Sequence, residues 1–288
     1  MVGIFLTILG HVSYGTTNVL WKNPQERLGT LPLIMLRSFL CMIIFGAAHF
    51  ILRSANTIPA PVFSSLDLLK TFGICAINYF GLFFYLKAMK HTKVSNTLGF
   101  GKIGLVIGVA VGYFIYDEEL SVLTVLLCLA VLIAVSLIEI AGRNNSVVLS
   151  KGLLYTILCK VFWATSYLYV PFIQMMGPLL FCAILELTVC LMSGFLLLWK
   201  PAKVEIKLMT RQTKYEIALL VLLGALGTFC LNFALANISI ILFAIIGLIE
   251  PLIGLAISKL YHKESLNRLQ QTGIAVGIVA AFILTLTR

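Results

Sequence analysis

The sequence predicts an all-α integral membrane protein whose ten transmembrane helices form two inverted five-helix repeats. Three observations support this prediction. Sixty per cent of the 288 residues are hydrophobic and only 11% are charged, whereas a soluble domain carries about a quarter charged residues. Ten apolar runs have the length of about 20 residues that a helix needs to cross the hydrocarbon core. The first half of the chain also recurs in its second half.

The ten apolar runs follow one another through short connections, so successive helices are expected to be antiparallel neighbours. Helices are the only option for such runs, because lipid cannot satisfy unpaired backbone donors and acceptors. The runs cover 2–21, 30–52, 71–89, 94–115, 120–140, 152–173, 177–199, 215–236, 238–260 and 270–287. In the ninth run, Pro251 cannot donate to the carbonyl of Gly247, so a kink is expected there.

An internal repeat relates the first run to the sixth. The segment ILGHVSYGTT at 8–17 matches ILCKVFWATS at 157–166, an offset of 149. The predicted halves are residues 1–142 and residues 150–288. Because five is an odd number of helices, the second half must enter the membrane from the opposite side. Many secondary transporters use such an inverted repeat for alternating access.

The basic residues predict how the chain is oriented. Although the net charge is +10, 15 of the 21 Lys and Arg residues flank the odd-numbered connections between the runs. Basic residues at helix ends indicate topology, so no nucleic-acid partner is expected. The positive-inside rule then places the odd connections in the cytoplasm and both termini outside. The expected location is a bacterial cytoplasmic membrane, as a multi-pass protein.

The seven cysteines all lie inside apolar runs and show no paired spacing. A free cysteine in such a run behaves as a small buried hydrophobe. The sequence therefore predicts no disulfide framework, no metal site and no cofactor.

Polar side chains inside the apolar runs are the candidate site residues. A charge at mid-bilayer costs about 2.5–3.5 kcal/mol or more, so it survives where it faces protein or a wet cavity. The candidates for substrate binding or gating are His11, Tyr14, Asn18, Tyr79, Lys102, Lys160, Trp163 and Glu250. Arg37 and Glu186 also lie at the repeat offset of 149, and are candidates for a structural salt bridge between the halves.

Four of these residues form two matched sets. His11 and Lys160 occupy equivalent positions of the repeat and are expected to face a common cavity. Histidine titrates near physiological pH, so His11 is a candidate for proton coupling, with a helix–helix hydrogen bond as the alternative. Lys102 and Glu250 lie at similar depths and could form a gate, a set of substrate counter-ions or a structural ion pair.

The aromatic candidates have two interpretations as well. Tyr14, Tyr79 and Trp163 could stack on a planar or apolar part of a substrate. Aromatic residues in membrane helices also serve as packing and interfacial anchors, and the sequence does not decide between these roles.

The sequence resembles the drug/metabolite transporter superfamily, in particular its EamA-type members. The resemblance rests on ILGHVSYGTTNVLWK and ILCKVFWATSYLYVP, on LIMLRSFLC with Arg37, on YLKAMKHTKVSN and on LIEPLIGLAISKLYHKES. It implies ten helices around a central substrate cavity, with spans five and ten peripheral. It also implies cytoplasmic termini, in conflict with the charge count. The first half departs from the pattern, because Leu105 and Val106 stand where the second half has its Glu-Pro pair.

The predicted function is secondary active transport of a small polar metabolite. The intramembrane charges sum to a slightly basic cavity, which favours an amino acid or related carboxylate. A multidrug exporter of lipophilic cations is one alternative, although the first run has no acidic residue where the small exporters of this superfamily carry theirs. A membrane-embedded lipid-modifying enzyme is a remote second, with Asp117, Glu118 and Glu119 as its only carboxylate cluster.

The oligomeric state stays open in the sequence between a monomer and a homodimer. Gly273 and Gly277 form a small-residue stripe in the tenth run, and such stripes let helices pack closely. The stripe is consistent with a contact between two chains of a dimer and with helix packing within one chain.

Overall fold

The computed structural model describes residues 1–91, 101–120, 151–199 and 210–261 and single positions at 122, 125, 126, 129, 268 and 272. At residues 101 and 102 the description covers the backbone alone. Most of the fifth and tenth predicted spans, together with Gly273 and Gly277, lies outside the described residues. The predicted ten-helix count and the inverted halves therefore stay predictions.

The described residues form α-helices and contain no strand. In chain order the helices are α1 Val2–Leu20, α2 Lys22–Leu28, α3 Thr30–Ser54, α4 Ser65–Met89, α5 Gly101–Ile115, α6 Lys151–Ala164, α7 Val170–Met176, α8 Pro178–Trp199, α9 Arg211–Leu235, α10 Ile240–Ile246 and α11 Ile249–Tyr261. A 3-10 turn, Thr165–Tyr169, joins α6 to α7.

Six stretches of the described chain are long and apolar enough to cross a membrane. They are Thr30–Ser54, Ser65–Met89, Lys151–Met176, Pro178–Trp199, Arg211–Leu235 and Ile240–Tyr261. Each overlaps a predicted run, and α1 and α5 fall within the first and fourth runs. Apolar side chains such as Phe39, Phe195 and Leu222 are 45%, 59% and 62% exposed, as expected for a surface that faces lipid. These findings confirm the all-α membrane fold for the described residues.

Two helices begin earlier than the apolar runs predicted, because polar caps precede the hydrophobic residues. The Ser64 hydroxyl accepts from the Asp67 amide at 3.2 Å, and the Asp67 carboxylate accepts from the Ser64 amide at 3.0 Å. This capping box starts α4 at residue 65 rather than 71. Thr210 caps α9 in a similar way through the Thr213 amide, at 3.2 Å.

Two predicted spans are interrupted. The ninth is divided between α10 and α11, where the amides of Leu248 and Glu250 donate to carbonyls only three residues back. Pro251 follows the break and cannot restore the regular ladder, in accord with the predicted kink. The sixth span was predicted as one helix, but it tightens into the 3-10 turn ahead of Pro171.

Matching turns follow the first and sixth spans. Gly29 ends α2 with a φ of 82°, and Gly177 ends α7 with a φ of 78°. Glycine adopts this left-handed region without a side-chain clash. Each turn lets a long apolar helix start at once, α3 in the first case and α8 in the second.

Helices from the first half of the chain pack mainly against helices from the second half. The main pairs are α3 with α8, α1 with α9, α4 with α6, α1 with α11 and α5 with α10. Close approach depends on glycine: a methyl group built at Gly10 would lie 2.6 Å from the Leu231 side chain, and one at Gly108 would lie 2.5 Å from the Ala244 Cβ. The interleaved helices leave a space at the centre that both polar and apolar side chains line.

Candidate functional site

A cavity of about 220 Å³ lies between the helices of both chain halves. Every long helix of the described chain contributes to its wall. The lining includes His11, Tyr14, Asn18, Arg37, Asn78, Tyr79, Lys160, Trp163, Tyr167, Glu186, Asn232, Phe243 and Glu250. Seven of the eight residues predicted for binding or gating therefore face one space. The side chain of the eighth, Lys102, lies outside the described residues.

Glu250 stands at the start of α11, directly after the break in the ninth span. The break brings its carboxylate into the cavity beside α1. Asn18 Nδ2 donates to Glu250 Oε1 at 2.9 Å, and His11 Nδ1 lies 3.1 Å from Glu250 Oε2. The close packing requires glycine on α1, because a methyl group at Gly15 would lie 2.7 Å from the Glu250 carbonyl oxygen.

The partners of Glu250 come from α1, whereas the sequence suggested a facing pair with Lys102. Equal depth in the two repeats does not determine how α11 is rotated after the break in its span. The repeat offset therefore could not show that the partners of Glu250 lie on the first span. The pairing of Lys102 with Glu250 stays a prediction.

His11 and Asn18 are held by further contacts. The His11 ring lies beside Phe243, with 5.4 Å between ring centroids. Tyr85 donates its hydroxyl to the Asn18 carbonyl at 2.8 Å. The His11 Nε2 atom is buried and has no hydrogen-bond partner among the described residues. Only Nδ1 of the His11 ring therefore contacts a polar group of the described chain.

Lys160 lies on α6 and is 7% exposed. Its Nζ atom is 5.1 Å from the centroid of the Trp163 ring, a cation–π contact. No carboxylate oxygen of the described residues lies within 4 Å of that atom. A buried ammonium without an ion-pair partner is costly, so the surroundings of Lys160 leave part of that cost uncompensated within the described chain.

A second polar cluster joins Arg37 on α3 to Glu186 on α8. Arg37 Nη1 donates to Glu186 Oε1, and both side chains are buried. Thr228 on α9 bridges this pair to α1, because the Tyr14 hydroxyl lies 2.7 Å from Thr228 Oγ1. Gly224 makes room for the guanidinium, since a methyl group there would lie 2.6 Å from Arg37 Nη2. The cluster therefore connects four helices, α1, α3, α8 and α9, at one wall of the cavity.

The aromatic candidates differ in their surroundings. Tyr79 is fully buried and packs on Phe80 and Phe83, while Trp163 packs on Tyr85 with 5.2 Å between ring centroids. Sequence reasoning missed Thr228 and Tyr85. Neither carries a charge, and threonine and tyrosine are common in apolar helices.

The acidic run after α5 has an intramolecular role in the structure. The Glu118 carboxylate accepts from the backbone amides of Ile240 and Ile241, the latter at 2.9 Å. It thus caps α10 at the face where the N-terminus lies. Tyr116 donates its hydroxyl to the Tyr167 carbonyl at 3.1 Å. Burial, and then the Glu118 charge, raise the pKa of Tyr116, which keeps this hydroxyl protonated as a donor.

Among the described residues, no group of three or more His, Cys, Asp or Glu side chains could hold a metal ion. Glu118 is the only member of the acidic run with carboxylate hydrogen bonds in the described part of the chain, and both go to backbone amides. The arrangement is that of a helix cap rather than a set of ligands.

Membrane-capable helices that surround buried charged side chains define a polytopic membrane protein with an internal polar site. The chain belongs to the EamA-like transporter family, whose model matches residues 1–140 and again residues 150–286. This match confirms the resemblance drawn from the sequence. Members of this family are membrane transporters.

The fold is also found among solved structures. Twenty-eight chains match; one, titled only "Crystal structure of protein", has a TM-score of 0.76 and is 14% identical, and the match covers 99% of this chain and 96% of that one. At this identity the likeness concerns the fold alone. No curated protein sequence matches this chain.

Proposed function

We propose that the protein is a secondary active transporter that moves a small carboxylate-bearing metabolite, such as an amino acid, by alternating access. The observation that carries the proposal is Lys160, a buried cation in the cavity wall without a carboxylate partner among the described residues. A substrate carboxylate would supply that partner.

The other charges of the cavity favour an anionic group for the same reason. Arg37 and Glu186 neutralise each other. Glu250 already accepts from Asn18 and contacts His11. Each described carboxylate in the cavity wall thus has at least one partner, whereas the Lys160 ammonium has no carboxylate partner in the described chain. This difference favours a substrate anion at Lys160 over a lipophilic cation.

The volume of the cavity supports a small substrate. Sites for drug-sized ligands occupy about 300–1,000 Å³, and this cavity measures about 220 Å³. Trp163 and Tyr14 line the same space and offer apolar surface to a substrate side chain. A metabolite with one carboxylate and a modest apolar or polar side chain suits these dimensions.

Alternating access is supported by the uneven packing along α5. Near its C-terminal end, a methyl group built at Gly112 would lie 2.7 Å from the Ile241 side chain on α10. At Gly104, near the other end, no atom of the described residues lies within 4 Å of such a methyl group. α5 and α10 are therefore packed closely at the Gly112 end, whereas Gly104 borders the cavity, as expected if the Gly112 end is the closed gate of an alternating-access transporter.

Counterflow in proteoliposomes tests the function directly. Purified protein is reconstituted into liposomes that contain an unlabelled compound, either a common L-amino acid or a short-chain mono- or dicarboxylate. Uptake of the same compound in radiolabelled form is then measured. Each carboxamide analogue is tested in parallel. The expected result is counterflow of at least one carboxylate and of no matching carboxamide. Counterflow of lipophilic cations, with none for any carboxylate, would replace the proposal by drug export.

Variants of Lys160 connect that flux to the site. Lys160→Gln should abolish counterflow, and Lys160→Arg should retain part of it, because an arginine also pairs with carboxylate. Lys70→Gln, an exposed lysine on α4, is the matched control for loss of one positive charge. Full carboxylate flux in Lys160→Gln would remove this residue from the site.

A further inference from the structure

The His11–Glu250 contact and the Lys160 ammonium share one cavity but are not paired with each other. His11 Nδ1 lies 3.1 Å from Glu250 Oε2, while Lys160 lies over Trp163 in the wall of the same cavity. We infer that the His11–Glu250 pair is the proton site of this transporter, and that a proton binds there together with a substrate carboxylate at Lys160. The inference rests on the proposed function and names its coupling ion.

The Glu250 carboxylate has a hydrogen-bond donor and a counter-charge in the cavity wall. Asn18 Nδ2 donates to Oε1 at 2.9 Å, and a hydrogen bond to the charged form favours that form. The Lys160 ammonium supplies the balancing charge, and Arg37 with Glu186 adds none. The described part of the cavity is therefore neutral when His11 is neutral.

A bound substrate carboxylate changes that balance. It pairs with Lys160, so the Glu250 carboxylate loses its counter-charge and the cavity gains one net negative charge. In a water-poor site such a charge is expensive. One proton from the aqueous medium restores neutrality. No covalent bond other than the new N–H or O–H is formed, and no electron is transferred.

The pair is built to accept that proton. His11 is 6% exposed, and its Nε2 atom has no hydrogen-bond partner in the described chain. Protonation at Nε2 gives an imidazolium beside the Glu250 carboxylate, whereas protonation of the carboxylate gives a neutral acid beside the imidazole. Both forms carry zero net charge, so the titration belongs to the pair rather than to one residue.

The other titratable groups around the pair stay constant over the relevant range. Tyrosine and cysteine side chains are uncharged below about pH 8, and arginine and lysine are charged. From the surrounding helices and the 3-10 turn these groups are Tyr14, Arg37, Tyr85, Cys159, Lys160, Tyr167 and Glu186, of which Arg37 and Glu186 are paired. Proton uptake on substrate binding is therefore expected from His11 and Glu250 alone among the described residues.

Because binding linkage is reciprocal, the proton and the substrate must strengthen each other's binding by the same factor. Titration calorimetry in buffers of different ionisation enthalpy counts the protons taken up when the transported carboxylate identified by counterflow is added. Wild-type protein should take up about one proton per bound molecule. Its Kd should weaken about tenfold per pH unit above the titration of the pair.

Glu250→Gln should bind the same carboxylate with a Kd that no longer depends on pH and with no proton uptake. Glu26→Gln, which removes an exposed carboxylate on α2, is the matched control and should keep the wild-type pH dependence. Binding to wild-type protein without proton uptake would overturn the inference while the proposed function stands. Unchanged proton uptake in Glu250→Gln would overturn it as well.

A measurement without substrate keeps the inference testable if Glu250→Gln does not fold. Infrared difference spectra between pH steps follow the carboxyl C=O band and the imidazole ring bands of wild-type protein and of Lys160→Gln. Removal of the ammonium should let the His11–Glu250 pair take up its proton at a higher pH than in wild type, because the counter-charge of the carboxylate is gone. An identical titration in both proteins would refute the electrostatic link. Failure of every carboxylate to bind wild-type protein would instead reject the proposed function.

Discussion

Arg37 on α3 donates to the carboxylate of Glu186 on α8, and the two residues are 149 positions apart in the chain. The same offset separates the two repeated segments that open the predicted halves. If the two halves exchange conformations, a contact between equivalent positions of the halves is the same before and after the exchange. If the chain works by the proposed alternating access, this contact is expected in both states, with α3 and α8 as the fixed part of the molecule.

The first prediction concerns the stability that this pair supports. Glu186→Gln leaves the buried Arg37 guanidinium without its counter-charge, which should cost about 3–5 kcal/mol. Thermal and denaturant unfolding in detergent would show the loss as a lower midpoint. Glu26→Gln, which removes an exposed carboxylate, should unfold like the wild type.

The double variant Arg37→Met with Glu186→Leu separates charge from packing. Replacement of both partners by apolar side chains of similar size is often close to neutral. The double variant should therefore be more stable than either single variant. Equal stability of Glu186→Gln and wild type would show that the pair contributes nothing.

The helices were predictable to within a few residues because lipid imposes both composition and length on a membrane span. The misplaced boundaries lie where polar caps lengthen a helix beyond its apolar run, as at Ser64 and Thr210. The interruption before Pro171 was missed, although the equivalent effect of Pro251 was predicted. Pro171 is itself a sequence signal for such an interruption.

The site was predictable as a set of residues but not as a set of contacts. A charged side chain in an apolar run is costly against lipid and must face protein or a wet cavity. His11, Lys160 and Glu250 were therefore expected at the centre. Their pairing depends on helix rotation and on a broken span, and neither is encoded in a single side chain. Thr228 connects Tyr14 to Arg37 through its hydroxyl, and nothing in the sequence distinguishes it from a threonine that hydrogen-bonds to its own helix.

The second prediction concerns the closed face. The Glu118 carboxylate holds the first amides of α10, and hydrogen bonds to a charged group contribute about 1.5–3 kcal/mol. Glu118→Ala should weaken the contact of α5 with α10. Loss of about 1.4 kcal/mol corresponds to a tenfold change in the closed population. Labelling of Ala244→Cys by an impermeant maleimide, in a background without the native cysteines, should accelerate accordingly.

The control for the closed face is the next residue. Glu119 is exposed, and Glu119→Ala removes the same charge without removing the cap. Its labelling rate should match that of the unmodified background. Equal acceleration by both variants would indicate a general effect of surface charge instead of a cap.

The third prediction concerns the 3-10 turn in the sixth span. Pro171 has no amide hydrogen to donate to the Tyr167 carbonyl, and Tyr116 donates to that carbonyl instead. Tyr116→Phe should cost about 1–3 kcal/mol, because a partly buried acceptor loses its donor. Pro171→Ala supplies an amide at the same carbonyl, so it should reduce the cost of Tyr116→Phe. Unfolding midpoints of the four proteins in this cycle give the coupling, and strictly additive effects would contradict it.

The fourth prediction uses two glycines of α4 that differ only in their neighbours. A methyl group at Gly81 would lie 2.3 Å from Trp163 Cδ1, whereas none of the described atoms lies within 4 Å of one at Gly73. Gly81→Ala must displace the indole against which Lys160 packs, so it should cost about 1–3 kcal/mol and weaken binding of the transported carboxylate. Gly73→Ala removes backbone freedom from the unfolded chain and should stabilise α4 by about 0.5–1 kcal/mol. Unfolding midpoints and substrate titrations of both variants measure the difference, and equal behaviour would mean that the Trp163 ring is not fixed by α4.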